Sequence, residues 1–242
     1  MKAMTSSSKR LSIIRHGQAM HNPRAEKAKA LGCSMEEFLQ LMREDDVLDA
    51  PLTNLGKKQA SSVKLTASSS IDLVVSSPLS RALETADLVH PSTTTNAKRV
   101  CCEHFREVNG EMMNGKRRSK SELETIFPSW DFQDLNSDED ALWTPKMESF
   151  DAVAERGYQG LCWLMKRPEA SILLVSHGGI LRYMMNLHPL IGLEDKRSTP
   201  GKEVKSRFDN CEVRHYILSW NENEIDQKKI IMTEIDAIDD DE

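Results

Sequence analysis

Ser171-Ile172-Leu173-Leu174-Val175-Ser176-His177-Gly178-Gly179 sets a run of branched apolar residues directly before a polar, glycine-bearing turn. A short continuous apolar run, with no polar alternation, reads as a strand covered on both faces. The residues behind it, Ile180 to Leu187, have helical character, so the stretch is a strand–turn–helix unit. Two other stretches repeat the pattern. Leu11-Ser12-Ile13-Ile14 runs straight into Arg15-His16-Gly17. Ile71-Asp72-Leu73-Val74-Val75 runs into Ser76-Ser77-Pro78, and Leu79, Leu83, Ala86 and Val89 then recur at helical spacing.

Outward from these units the chain keeps alternating. One or two helices are expected over 24–48, a break at Asp49-Ala50-Pro51-Leu52-Thr53, and a helix over 54–65 with Thr53 as its N-cap. A third strand covers 99–102. The stretch 103–140 is irregular apart from a short helix at 119–126, ended by Pro128. The longest helix runs over 147–166, with Phe150, Val153, Ala154, Tyr158, Leu161, Cys162 and Met165 as its apolar face, and a further strand covers 213–220. Buried strands alternating with helices imply an α/β fold: a single three-layer α/β/α domain over 1–242 with a mostly parallel sheet. A short polar extension (1–9) and an acidic tail (236–242) flank it. In such sheets the site lies beyond the carboxyl ends of the strands. The polar ends at 15–17, 76–78 and 176–179 would therefore converge there.

Composition narrows the function. A formal net charge of −6 and a pI near 5.7 do not suit a nucleic-acid binder. No apolar run approaches the length of a membrane span, and Met1 to Arg10 is polar and Ser-rich, unlike a secretion signal. The cysteines (33, 101, 102, 162 and 211) are odd in number and form no C-x-x-C pair. Reduced thiols in a cytoplasmic protein are expected, with no cysteine-rich zinc site.

Arg15-His16-Gly17-Gln18 after a buried strand, with Asn22 close behind, resembles the signature of the histidine phosphatase superfamily. Further pieces follow in the family's order: Leu52-Thr53-x-x-Gly56-x-x-Gln59-Ala60, then Ser76-Ser77-Pro78-Leu79-x-Arg81-Ala82, then Phe105-Arg106-Glu107, then Ser176-His177-Gly178-Gly179. The long segment between Asn22 and Leu52, together with Lys116-Arg117-Arg118-Ser119 and Phe127-Pro128, is similar to the phosphoglycerate-mutase-like proteins of plants and fungi, a subgroup regarded as phosphatase-like.

The resemblance implies a phosphoglycerate mutase-like fold and roles for specific residues. His16 would be the nucleophile that forms a phosphohistidine, reactive only while neutral. Arg15 and Arg81 would oppose its protonation and hold phosphate oxygens through forked hydrogen bonds. His177 and Asn22 would donate to the phosphoryl group. Gly17 would let the backbone approach it, and a helix starting near Gly178 would aim free N–H groups at it. Glu107 would give a proton to the leaving oxygen and then serve as base for the attacking water, which asks for a carboxyl whose pKa is raised. Arg117 and Arg118 are candidates for a second anionic group on the substrate, against the alternative of surface salt bridges. No metal or cofactor is required, since two arginines and a histidine supply the positive charge. His21, His90, His104, His188 and His215 read as structural or surface residues, and the Met112-Met113 and Met184-Met185 pairs as core or pocket wall.

The expected activity is hydrolysis of phosphate monoesters of small metabolites. The alternatives are mutase-type phosphoryl transfer, a protein phosphatase and, last, a non-catalytic phosphate-binding protein. A deep basic pocket would favour small substrates and an open one proteins. The expected partner is a small phosphorylated substrate. A homodimer stays open, since dimers occur among relatives.

Overall fold

The run that opens the reading forms β4 (Ser171–Ser176), buried along its whole length. The computed structural model describes residues 8–44, 47–65, 70–93, 95–195, 207–221 and 229–236. Around β4 stand β1 (Lys9–Arg15), β2 (Leu73–Ser76), β3 (Lys98–Cys101), β5 (Ile191–Asp195), β6 (Val213–Trp220) and β7 (Ile230–Ile235). Among the described residues they make one sheet in the order β3-β2-β4-β1-β6-β7-β5. The first four strands of that order are parallel to one another. β6 runs antiparallel to both β1 and β7, and β5 pairs parallel with β7.

Side chains of a strand alternate between faces, and the sheet uses both. Leu11, Ile13, Leu73, Val75, Ile172 and Leu174 join the core formed with α6 (Phe150–Lys166) and α7 (Gly178–Leu187). Ile14, Val74, Leu173 and Val175 join a second core with α4 (Ser80–Val89), α5 (Lys120–Ile126) and the aromatic group Phe127, Trp130 and Phe132. This is the three-layer arrangement implied by the apolar runs. α1 (Asn22–Ala30), α2 (Met35–Arg43) and α3 (Asn54–Ser61) complete the described helices.

Helix starts follow their caps. Thr53 Oγ1 accepts from the Gly56 N–H at 3.0 Å, and Ser119 and Glu122 cap α5 reciprocally. Ser149 caps α6, which therefore begins at Phe150 rather than 147. α3 stops at Ser61 rather than 65, because Ser61, Ser62 and Val63 are weak helix formers. α7 begins at Gly178, two residues earlier than its apolar pattern suggested. β5 and β7 carry no clear sequence signal and gain their order from pairing with each other. The polar extension is shorter than expected. Lys9 already belongs to β1, and its ammonium donates to the carbonyls of Arg167 (2.6 Å) and Glu169 (2.8 Å). The rest of that extension up to 7, and the tail from 237, lie outside the described residues.

Register positions the site. Arg15 pairs with Ser176, Ser76 with Val175, and Ser76 with Cys101. The chain segments that leave these strands at His16, Ser77, Cys102 and His177 thus emerge side by side.

Candidate active site

His16 follows β1 and is anchored by its own N–H, which donates to the Ser176 carbonyl at 2.9 Å. Its ring is 2% exposed. Nδ1 lies 2.6 Å from the Gly17 carbonyl, which can only accept, so Nδ1 carries the proton. The Nε2 lone pair is left as the basic, nucleophilic atom. Burial first, then the charges of Arg81 and Arg15, hold the imidazole well below its ordinary pKa. The ring is therefore neutral at physiological pH, which is the state a nucleophile needs.

The two guanidinium groups are held by carbonyls. Arg15 Nη1 donates to Phe208 O at 2.9 Å and Arg81 Nη1 to Asn114 O at 2.7 Å. Burial pulls Arg81 down to about 10, against the favourable charges of Glu107 and Asp49. It therefore stays cationic. The segment 207–211 fastens the same corner: Asn210 Nδ2 donates to His16 O at 2.9 Å and the Cys211 N–H to Arg15 O at 3.0 Å. His177 stands at the head of α7 with its ring centroid 4.9 Å from that of His16, and its Nε2 shares a hydrogen bond with Ser77 Oγ at 2.7 Å. Burial, then Arg81, keeps His177 neutral as well.

Glu107 comes from the segment after β3 and sits on the first turn of α7. Its Oε1 accepts from the N–H groups of Val108 and Ile180, both at 2.9 Å, and its Oε2 from Gly179 at 3.1 Å. The expectation that α7 aims free N–H groups at a substrate anion is corrected for Gly179 and Ile180, because a carboxylate of the protein occupies both. Gly179 has no room for a side chain: a Cβ there would lie 2.3 Å from Glu107 Oε1.

Other expected residues have partners within the protein. Gly17 is needed for packing: a Cβ would meet the Gly56 carbonyl oxygen at 2.6 Å. Asn22 Oδ1 accepts from the Ala19 N–H at 2.9 Å, and its Nδ2 donates to His21 Nε2 at 3.1 Å. Arg117 as a substrate contact is corrected. It is 3% exposed and has no donor to spare. Its Nε is paired with Glu103, Nη1 with the carbonyls of Arg118 and Asp138, and Nη2 with those of Ser137 and Glu139. Arg118 is partly exposed and faces buried Asp49 at 3.7 Å. Asp49 in turn receives the Ser80 N–H at 2.8 Å at the start of α4, and burial raises its carboxyl to about 6.

Sequence reasoning missed three participants. His21 is 5% exposed, with its ring centroid 6.4 Å from that of His16. Its only sequence signal is adjacency to Asn22. Asn114 offers Arg81 its carbonyl, and Ser77 holds His177. A group of neighbouring cations was missed too: Lys29 is lowered by partial burial and then by repulsion from Arg207, Arg15 and Arg182.

The histidine phosphatase superfamily (branch 1) model matches residues 11–224, a span that contains every one of these groups. The chain belongs to the histidine phosphatase superfamily. Among curated relatives in that superfamily, it is 32% identical over 243 residues to phosphoglycerate mutase-like protein 1 of Arabidopsis thaliana, covering 87% of this chain and 81% of the relative. A second Arabidopsis thaliana phosphoglycerate mutase-like protein is 27% identical over 242 residues, covering 87% and 84%. Among solved structures, mycobacterial glucosyl-3-phosphoglycerate phosphatase, in complex with VO3, superposes with a TM-score of 0.50 at 22% identity over 93% of this chain and 96% of that one. The ecdysone phosphate phosphatase of Bombix mori, in complex with tungstate, does so with 0.50 at 17% identity over 86% and 88%. These structural likenesses speak to the fold. The superfamily places the chain among enzymes that act on phosphate.

Proposed function

We propose that this protein hydrolyses phosphate monoesters of small metabolites through a phosphohistidine on His16. The observation that carries the proposal is the state of His16. It is neutral, its Nδ1–H is spent on the Gly17 carbonyl, and the charges of buried Arg81 and half-buried Arg15 both act on its ring, leaving the Nε2 lone pair free. In the first step Nε2 bonds to phosphorus as the ester P–O bond breaks, and protonated Glu107 gives its proton to the leaving oxygen. In the second, ionised Glu107 takes a proton from water, whose oxygen bonds to phosphorus as the P–N bond breaks. Arg15 and Arg81 balance charge on the phosphoryl oxygens throughout, and neutral His177 hydrogen-bonds to them.

Burial of the site supports a small substrate. His16, Arg81 and His177 are each no more than 2% exposed, so a phosphate carried on a folded protein surface would be held away from Nε2. The mutual repulsion of Lys29, Arg207, Arg15 and Arg182 supports an anionic substrate. The names of the mycobacterial and insect phosphatases support hydrolysis over phosphoryl transfer between two substrates.

The test is phosphate release by the wild type and by His16→Ala, without added metal, from an aryl phosphate, 3-phosphoglycerate, sugar phosphates, nucleotides and a phosphotyrosine peptide. Release by the wild type alone is expected, with the small compounds ahead of the peptide. Activity that needs priming by a bisphosphate would overturn the reading in favour of a mutase. Glu107→Gln should slow poor leaving groups most, and an equal loss across leaving groups would move the acid role to another residue.

A further inference from the structure

Buried donors without a partner are uncommon in folded proteins. Here the imidazole of His21 holds one beside the nucleophile. Its protonation can be worked out from its neighbour. The Ala19 N–H donates to Asn22 Oδ1 at 2.9 Å, which fixes which end of the Asn22 amide is oxygen. Asn22 Nδ2 is then the donor to His21 Nε2 at 3.1 Å. Because Nε2 accepts, the neutral ring must carry its proton on Nδ1. Nδ1 is buried and has no partner among the described residues. His21 stands at the N-cap of α1, yet its side chain makes no cap bond. Arg81 and Arg15 act on it as they act on His16. Both repel an imidazolium, so the ring offers an uncharged N–H.

We propose that His21 is a further phosphate-contacting residue, whose Nδ1–H donates a hydrogen bond to an oxygen of the phosphoryl group held by Arg15, Arg81 and His177. Asn22 then acts as a positioning residue that sets the His21 tautomer. The proposal rests on the reading of this site as one that takes a phosphoryl group. A neutral donor suits the place: it adds a hydrogen bond without a third charge that would lower the basicity of His16.

Asparagine and glutamine separate the donor from the ring. The amide nitrogen of Asn stands near the imidazole Nδ1 position, and that of Gln near Nε2. Binding of inorganic phosphate is measured by calorimetry for the wild type, His21→Asn, His21→Gln and His21→Phe, alongside hydrolysis of an aryl phosphate and thermal melts. His21→Phe and His21→Gln should weaken phosphate binding by about ten- to a hundredfold, the size of one hydrogen bond to a charged acceptor, and His21→Asn should restore most of it. If the Phe variant does not fold, the Asn–Gln difference decides. Variants that all bind phosphate like the wild type, or an Asn variant as weak as the Gln one, would overturn the proposal. A wild type that binds phosphate but hydrolyses no ester refutes the phosphatase reading, and the affinity pattern still decides His21.

Discussion

Acidification should destabilise this fold steeply, because three histidines in one site are buried and neutral. Burial and the nearby arginines hold His16, His21 and His177 well below their ordinary value of 6.5. As the pH falls through 6.5, the unfolded chain binds protons that the folded chain refuses, so the unfolded state gains. The stability contributed by these groups is present above that value and lost below it. Between about pH 7.5 and 5.5 each histidine withdraws up to about 1.4 kcal/mol, and the three together up to about 4 kcal/mol. Asp49 opposes this. Its carboxyl is raised to about 6, so the folded state takes up a proton the unfolded one does not, returning about 0.8 kcal/mol over the same window. A net loss of up to about 3 kcal/mol is a large share of the roughly 5–15 kcal/mol that a domain possesses. Urea unfolding at the two pH values measures it directly. A stability that is flat or rises on acidification would refute the reasoning. His16→Gln, which removes one of the titrating rings, should reduce the net loss by a little under half.

Further outcomes follow from single contacts. Gly179→Ala would push a Cβ to 2.3 Å from Glu107 Oε1. Turnover of poor leaving groups should fall at least about tenfold while the thermal melt stays close to wild type, as a leaving-group series would read. Gly56→Ala would place a Cβ 2.0 Å from the Gln18 carbonyl oxygen, and backbone cannot swing aside as a side chain can. Urea unfolding should show a loss of about 1–3 kcal/mol or more. Asp140 forms a buried bidentate pair with Arg106 and also receives the Arg117 N–H at 2.9 Å. Asp140→Ala should cost about 3–5 kcal/mol, because it removes the bidentate partner of buried Arg106 and leaves it only Glu103 at 3.3 Å as a carboxylate. Glu44→Ala, which breaks an exposed pair with Arg24, should leave the same unfolding midpoint nearly unchanged.

The elements that could be read in advance are those whose signal is local. β4 is legible because a run buried on both faces needs no polar alternation, and α3, α5 and α6 begin where Thr53, Ser119 and Ser149 can cap them. β5 and β7 were not legible: each is short and half-polar, and what makes them strands is a partner far along the chain. The site divides in the same way. Arg15, His16, Arg81, Glu107 and His177 stand out as residue types at particular spacings, and parallel register then sets their strand ends side by side.

The sequence by itself determined the α/β class, the strand ends that carry chemistry, and the identity of the ionisable groups, because each is written in neighbouring residues. Tertiary structure alone decided how those groups spend their hydrogen bonds. Arg117 looks like an anion grip until four carbonyls and Glu103 consume its five N–H donors. That Gly17 must lack a side chain is set by the Gly56 carbonyl, which fills the space a Cβ would need. His21 looks like a spare histidine until Asn22 fixes its tautomer next to His16. A hydrogen-bonding group can be satisfied by any partner the fold brings within about 3 Å, and that choice depends on contacts between residues distant in the chain.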